Sequence, residues 1–191
     1  MRQKIKTVYE TPGELKTAID EGTIKVGDEF LTFDIDDDAV FVVAHVGKRK
    51  VRFVRKYLLE NDRAMKTDES DLIAWLNGEY KNCLPDDLKE GIYKGKITIP
   101  TEAQVFGKNE VGKKEYRKQW DYFKKTKNRI ATHEPEEEYS KWWWTRTPYF
   151  DKERDVVSSA YFAHVYSNGH CAYSAASATL GVRPAFTILR S

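Results

Sequence analysis

Three consecutive tryptophans, Trp142, Trp143 and Trp144, run directly into Thr145-Arg146-Thr147-Pro148 and constrain this chain more than any other stretch. Strand alternation places Trp142, Trp144 and Arg146 on one side and Trp143, Thr145 and Thr147 on the other. Both sides are too bulky for a strand with a solvent face, so the stretch predicts a central strand that ends at Pro148. Downstream lies a second landmark, A-Y-F-A-H-V-Y-S-N-G-H-C-A-Y over residues 160–173. Asn-Gly between alternating residues is a strong hairpin signal, because a type I′ turn needs positive φ at both central positions. With Asn168-Gly169 as that turn, Ser167 faces His170, Tyr166 faces Cys171 and His164 faces Tyr173. Alternation then predicts Phe162, His164, Tyr166, Cys171 and Tyr173 on one half-exposed face, with Ala163, Val165 and Ala172 on a core face.

That tyrosine- and histidine-rich face resembles a paratope in composition. Tyrosine offers rigid amphipathic contact area at little entropic cost, while Ser, Asn and Gly adapt their hydrogen bonds. Candidate ligand-binding residues are therefore Tyr149, Tyr161, His164, Tyr166, Asn168, His170 and Tyr173. The competing reading is an ordinary hairpin whose aromatic residues pack under neighbouring loops. His164 and Cys171 would lie near one another in this register. Two ligands do not make a zinc site, and no H-x-x-x-H or C-x-x-C spacing supplies the rest. No orienting third residue completes a Cys-His catalytic pair either. Arg146 and Arg183 sit in apolar surroundings and need carboxylate or carbonyl partners if buried. They read first as structural clamps and second as ligand anchors.

The remainder of the chain predicts a modest number of elements. Thr11-Pro12-Gly13-Glu14 fits a capping box that opens a helix carrying Leu15, Ala18 and Ile19 and ending at Gly22. Residues 28–57 read as a strand meander with two hairpin turns. One of these turns, Asp34-Ile35-Asp36-Asp37-Asp38, offers a D-x-D-x-D pattern. A calcium loop would need Gly sixth and Glu twelfth, and Ala39 and His45 stand there, so a solvated turn is expected. A second helix is capped by Asp68 or Ser70, and Leu72, Ile73, Leu76, Tyr80, Cys83 and Leu84 form its apolar stripe. Cys83 is thereby read as core. Pro85 breaks this helix, Asp86 to Leu88 restart a turn, residues 97–99 make a brief strand, and Thr101-Glu102-Ala103-Gln104 opens a further turn. Residues 112–129 hold eight basic residues against two acidic ones, interleaved with Tyr116, Trp120 and Phe123. Their spacing predicts an amphipathic helix whose lysines cover the solvent face, in preference to a nucleic-acid surface. Residues 134–138 form an acidic loop that could partly neutralise it.

Charge and composition exclude several classes. The 191 residues carry 32 basic and 30 acidic side chains, a net +2, so no global attraction to nucleic acid or membrane is implied. At 40% hydrophobic and 13% aromatic the chain is built for a core rather than for disorder. No apolar leader or membrane-length run is present, so the expected location is cytoplasmic, or within a phage particle. Cys83 and Cys171 are expected as free thiols. No cofactor motif and no metal site is read, and one domain over residues 1–191 is expected. Within it, residues 1–60 hold the first helix and the meander, and residues 61–191 the later helices and a C-terminal sheet.

Several short pieces occur in a recognisable order: K-V-G-D-E-F, S-D-L-I-A-W-L-N, I-P-T-E-A-Q-V-F-G (residues 99–107), W-W-W-T-R-T-P and G-V-R-P-A-F (residues 181–186). Over roughly residues 25–188 this set resembles a bacterial and phage domain family of unknown function. Its signature residues here are Trp142, Trp143, Trp144, Arg146, Pro148, Gly181, Arg183 and Pro184. The resemblance implies an α+β fold of the C-type-lectin-like kind, with a twisted antiparallel sheet flanked by two or three helices. That fold is shared with formylglycine-generating enzymes and with variable proteins of diversity-generating retroelements. Family membership does not itself supply an activity. The leading expectation is a non-catalytic module that binds a protein or glycan through the C-terminal hairpin. The alternative is a structural or assembly component of a phage or prophage particle, for which an oligomer is allowed. An oxidase of the formylglycine-generating kind ranks last, because it depends on neighbouring cysteines that this chain lacks.

Overall fold

The computed structural model describes residues 6–66 and 71–191. Helix α1 (Pro12–Glu21) forms as its sequence prescribes. Thr11 accepts the Glu14 N–H, Glu14 reaches back to the Thr11 N–H, and Gly22 ends the helix at a φ of 75°. The meander follows as β2 (Glu29–Asp34), β3 (Asp37–Val46) and β4 (Lys50–Arg55), paired antiparallel. A short β1 (Val8–Tyr9) joins β2 in parallel, and β10 (Ala185–Leu189) joins β4 antiparallel, giving the order β1-β2-β3-β4-β10. The outer edge of β10 is covered, since Thr98 and Ala185 exchange backbone hydrogen bonds of 2.9 and 2.7 Å. Residues 97–99 thus contribute one bridge at Thr98 in place of the expected strand.

A second sheet has the order β6-β7-β8, built from β6 (Trp143–Asp151), β7 (Val156–Val165) and β8 (Cys171–Ala175). A two-residue pair, β5 (Arg63–Ala64) with β9 (Thr179–Leu180), links the layers. Strand β6 runs on through Pro148 to Asp151 and lies at an edge of its sheet, contrary to the expected central strand ending at Pro148. Its bulk is explained differently. The outer edge is taken up by Gly181, Pro100 and Val111, whose carbonyls accept the N–H groups of Trp144, Arg146 and Phe150.

Two cores form, one on each side of the larger sheet. Phe41, Val43, Val51, Phe53, Phe186 and Ile188 join α1 in the first, whereas Ala44, Val54 and Ala185 join the second. Strand β6 feeds both: Trp144 enters the first core and Trp143 the second. Period-two alternation alone produces that division. The result is a mixed α+β architecture, mostly sheet with a few short helices, and no helix among the described residues is long and apolar enough to cross a membrane.

Helix α2 (Leu72–Trp75) is capped by Asp71, whose carboxylate accepts the Ile73 N–H at 2.9 Å. Asp68 and Ser70 lie outside the described residues. The helix continues as a π turn, Leu76–Tyr80. Leu72, Leu76, Tyr80 and Leu84 are buried at a strict four-residue repeat. Such a repeat drifts by about 40° per step around an ordinary helix, and the wider π turn absorbs the drift. It also rotates Cys83 out of the stripe, so Cys83 is exposed rather than core. Helix α3 (Asp86–Gly91) restarts after Pro85, and α4 (Glu102–Phe106) carries a second capping box from Thr101 and Gln104.

The expected amphipathic helix over residues 112–129 does not form. Residues 113–120 are irregular, short 3₁₀ turns follow at Asp121–Lys124 and Thr126–Asn128, and Tyr116 is 95% exposed. Tertiary bonds displace the helical ones here. The Trp120 N–H donates to the Gln104 carbonyl and the Gln119 amide to the Val105 carbonyl, each at 2.8 Å. The acidic loop pairs with its own neighbour, Glu137 with Lys141 at 2.8 Å, rather than with that basic segment.

The acidic turn is also not simply solvated. Asp34 and Asp36 both pair with the buried Arg55, at 2.8 and 3.0 Å, and Tyr80 donates its hydroxyl to Asp34 at 2.8 Å. Burial, and then the Asp34 charge, hold the Tyr80 phenol well above its usual range, so it is a permanent donor at neutral pH. Tyr80→Phe should therefore cost about 1.5–3 kcal/mol in urea unfolding, the range for a hydrogen bond to a charged acceptor, with an unchanged denaturant slope.

Candidate ligand-binding surface

The C-terminal hairpin was expected to turn at Asn168-Gly169 alone. Its register pairs Val165 with Cys171, His164 with Ala172, Ala163 with Tyr173 and Phe162 with Ser174. The loop is thus three residues, Ser167-Asn168-Gly169, closed by hydrogen bonds from Tyr166 N–H to the His170 carbonyl and from Gly169 N–H to the Tyr166 carbonyl, both 2.8 Å. Gly169 has a φ of 81°, whereas Asn168 is not among the residues with positive φ. A type I turn followed by a left-handed glycine bulge fits these facts, in place of the type I′ turn. The tip is held from outside. The Ser140 hydroxyl donates to the Ser167 carbonyl at 2.8 Å, and a Cβ at position 169 would meet Thr126 Cγ2 at 2.9 Å.

The one-residue difference moves side chains between faces. Cys171 and Tyr173 share a face with Ala163 and Val165, while His164 and Phe162 share the other with Ala172 and Ser174. The expected single surface is therefore two. On one face Tyr166 stacks on Trp142 with ring centroids 4.5 Å apart, and both cover His164. On the other, Tyr173 stacks on Tyr149 at 4.7 Å and meets Tyr161 edge-on at 6.2 Å. Tyr161 and Tyr173 are 44% and 52% exposed, and Asn168 and His170 are exposed at the tip.

His164 is not part of an open surface. It is 1% exposed among Trp142, Trp144 and Tyr166, and neither ring nitrogen has a hydrogen-bond partner. Burial lowers its pKa to about 4, so it is a neutral wedge. Cys171 faces away from it. Its thiol donates to Glu102 Oε1 at 3.3 Å, and burial followed by the Glu102 charge pushes the thiol pKa far up. The juxtaposition that prompted a zinc or Cys-His question is therefore absent.

Glu102 is the residue whose role the sequence did not announce. It is fully buried and accepts the N–H groups of Glu110, Val111 and Gly112 and the amide of Asn109, which fastens the loop against β6. The nearest signal was its place between a helix cap and an apolar run, inside I-P-T-E-A-Q-V-F-G. Arg183 is a clamp, as first expected, but its partners are carbonyls: Arg55, Lys56 and Asn128, at 2.9, 3.1 and 3.2 Å. Its guanidinium also packs against the Trp143 and Phe123 rings, 5.0 and 5.4 Å from their centroids, and the two rings touch each other at 5.9 Å. Gly181 is required beside it, because a Cβ there would lie 2.5 Å from Leu58 Cδ1. Pro184 passes its carbonyl to the Arg55 N–H. Arg146 behaves otherwise: its Nε is buried without a partner. No group of three or more metal-ligating side chains occurs among the described residues.

Comparison with known proteins bears on the scaffold. The model of a family described as a domain of unknown function, DUF6273, matches residues 48–189, and the chain belongs to that family. No curated protein and no solved structure matches the chain.

The buried neutral histidine gives a pH signature. Above its ordinary pKa of 6.5, folded and unfolded His164 are both uncharged and contribute no slope. Between 6.5 and about 4 only the unfolded chain binds the proton, so stability falls as pH falls through that window. His164→Phe should remove this loss, and its stability relative to wild type should rise by roughly 2–3 kcal/mol between pH 7.5 and 4.5. A difference that stays constant across those pH values would contradict a neutral His164.

Proposed function

Given that membership, we propose that this chain is a non-catalytic binding module of bacterial or phage origin with a C-type-lectin-like arrangement. It engages a protein or glycan partner through Tyr149, Tyr161 and Tyr173, which cluster on the face of the β6-β7-β8 sheet that also carries Cys171. The observation that carries this reading is the tyrosine cluster itself. Tyr161 and Tyr173 stand about half exposed, Tyr173 stacked on Tyr149 and Tyr161 edge-on against Tyr173, on strands whose register is fixed. Rings held in place lose little freedom on binding, and exposed aromatic patches mark contact surfaces.

Two further facts favour binding over chemistry. The Cys171 thiol is held protonated by burial and by Glu102, so no thiolate is at hand near neutral pH. His164 is enclosed on the other face and offers no base to that thiol. The lectin-like arrangement is favoured by the packing of α1 and α2 into one core beside a mainly antiparallel sheet, with the C-terminal hairpin displayed beyond it.

The test is a glycan array together with a displayed random-peptide library, followed by affinity measurements on the hits. Tyr161→Ala combined with Tyr173→Ala should weaken them by about 10-fold or more. Tyr166→Ala, on the opposite face, should leave them within about 2-fold. Hits bound equally well by the double variant would remove this surface from consideration.

A further inference from the structure

A cavity of about 460 Å³ opens on the other face of β6 and β7, away from the tyrosine cluster, between these strands and the start of α2. Its floor is apolar: Met65, Ile73 and Phe162. Among the described residues its polar lining is Arg146, Lys66, Ser158 and Ser159, with one carboxylate, Asp71. The volume lies within the ordinary range for small-molecule sites, and a mainly apolar lining with a few convergent polar groups is their usual composition.

The charges in this cavity do not balance. Asp71 is already engaged, since one oxygen caps the Ile73 N–H at 2.9 Å and the other lies 3.8 Å from Lys66 Nζ. Arg146 has no comparable partner among the described residues. Its Nε is buried without an acceptor, and the acid that bears on it, Glu115, is paired with Arg117 at 2.9 Å. Burial lowers the Arg146 pKa, with Arg117 adding to the effect, yet a guanidinium remains charged at any physiological pH. The contrast with the other two buried arginines is direct. Arg55 is matched by Asp34 and Asp36, and Arg183 by carbonyls and two rings. A half-buried cation left unmatched beside a cavity is the arrangement that an anionic ligand completes.

We propose that this cavity binds a small carboxylate with an apolar body, its carboxylate on Arg146 and Lys66 and its apolar part over Phe162, Met65 and Ile73. Among the described lining residues two cations face one committed carboxylate, an excess of one positive charge, which suits a monoanion better than a phosphate dianion. The planar guanidinium suits the two oxygens of a carboxylate. This site is independent of the tyrosine surface, and either can fail without the other.

The experiment uses the full chain with benzoate, phenylacetate, indole-3-acetate and 4-methylpentanoate, followed by saturation-transfer NMR and calorimetry. The matching neutral amides and inorganic phosphate serve as controls. At least one carboxylate should bind, at least about 10-fold more tightly than its amide and than phosphate. Arg146→Gln should weaken it by about 10-fold or more. Lys66→Gln, at an exposed position that does not endanger folding, should weaken it several-fold, and raising the salt concentration should do likewise. Absence of binding by all four carboxylates, equal binding of acid and amide, tighter binding of phosphate, or an unchanged affinity in Lys66→Gln would each overturn the proposal.

Discussion

The interaction on which the rest of this structure depends is a guanidinium packed against a pair of touching aromatic rings with backbone carbonyls around it. A buried arginine without a carboxylate is costly unless its donors are all used. Each of the three Arg183 nitrogens donates to a carbonyl, of Arg55, Lys56 or Asn128, and the guanidinium packs against the Trp143 and Phe123 rings. The next two carbonyls, of Tyr57 and Leu58, are taken by the side chain of Arg55. Four successive carbonyls, from the last residue of β4 into the irregular segment that follows it, are thus satisfied by two arginines. A buried irregular segment must find partners of this kind or open to water. The clamp joins β4, the β10 approach, β6 and the 3₁₀ turns in one place.

This division of labour separates the recognisable residues from the available ones. Trp143, Trp144, Gly181, Arg183 and Pro184 are buried and engaged in holding sheets together. Glu102 does the same for the loop that covers β6. Arg146, Trp142 and the half-buried Pro148 are the exceptions within the signature. Trp142 is 38% exposed over His164, and Arg146 is unmatched beside a cavity. The groups free to meet a partner are Tyr161 and Tyr173, whose rings stand about half exposed on β7 and β8.

Local signals were readable where local forces decide. The capping box at Thr11, the meander and the helical restart after Pro85 all formed, because caps, turns and alternation act over a few residues. The clamp role of Arg183 followed from an arginine embedded among apolar residues, though its carbonyl partners belong to distant segments. The misreadings share a cause, namely competition from a contact remote in sequence. Asn168-Gly169 supports two hairpin geometries, and the choice of the longer loop goes with a tip pinned by Ser140 and crowded by Thr126. The spacing of Tyr116, Trp120 and Phe123 matched a helix, yet the Gln104 carbonyl took the Trp120 N–H and the Val105 carbonyl tied down the Gln119 side chain. Cys83 left its stripe because the π turn changed the phase. The split into two aromatic faces then follows from register alone.

The claim that the signature exists to hold the scaffold rests most directly on Arg183, and Arg183→Lys tests it. Lysine keeps the charge but has neither the planar fork nor the stacking surface. Urea unfolding combined with amide hydrogen exchange should show a loss of about 3 kcal/mol or more, with protection falling first at residues 55–59, 143–144 and 182. A variant within about 0.5 kcal/mol of wild type, with unchanged protection at those amides, would contradict the account.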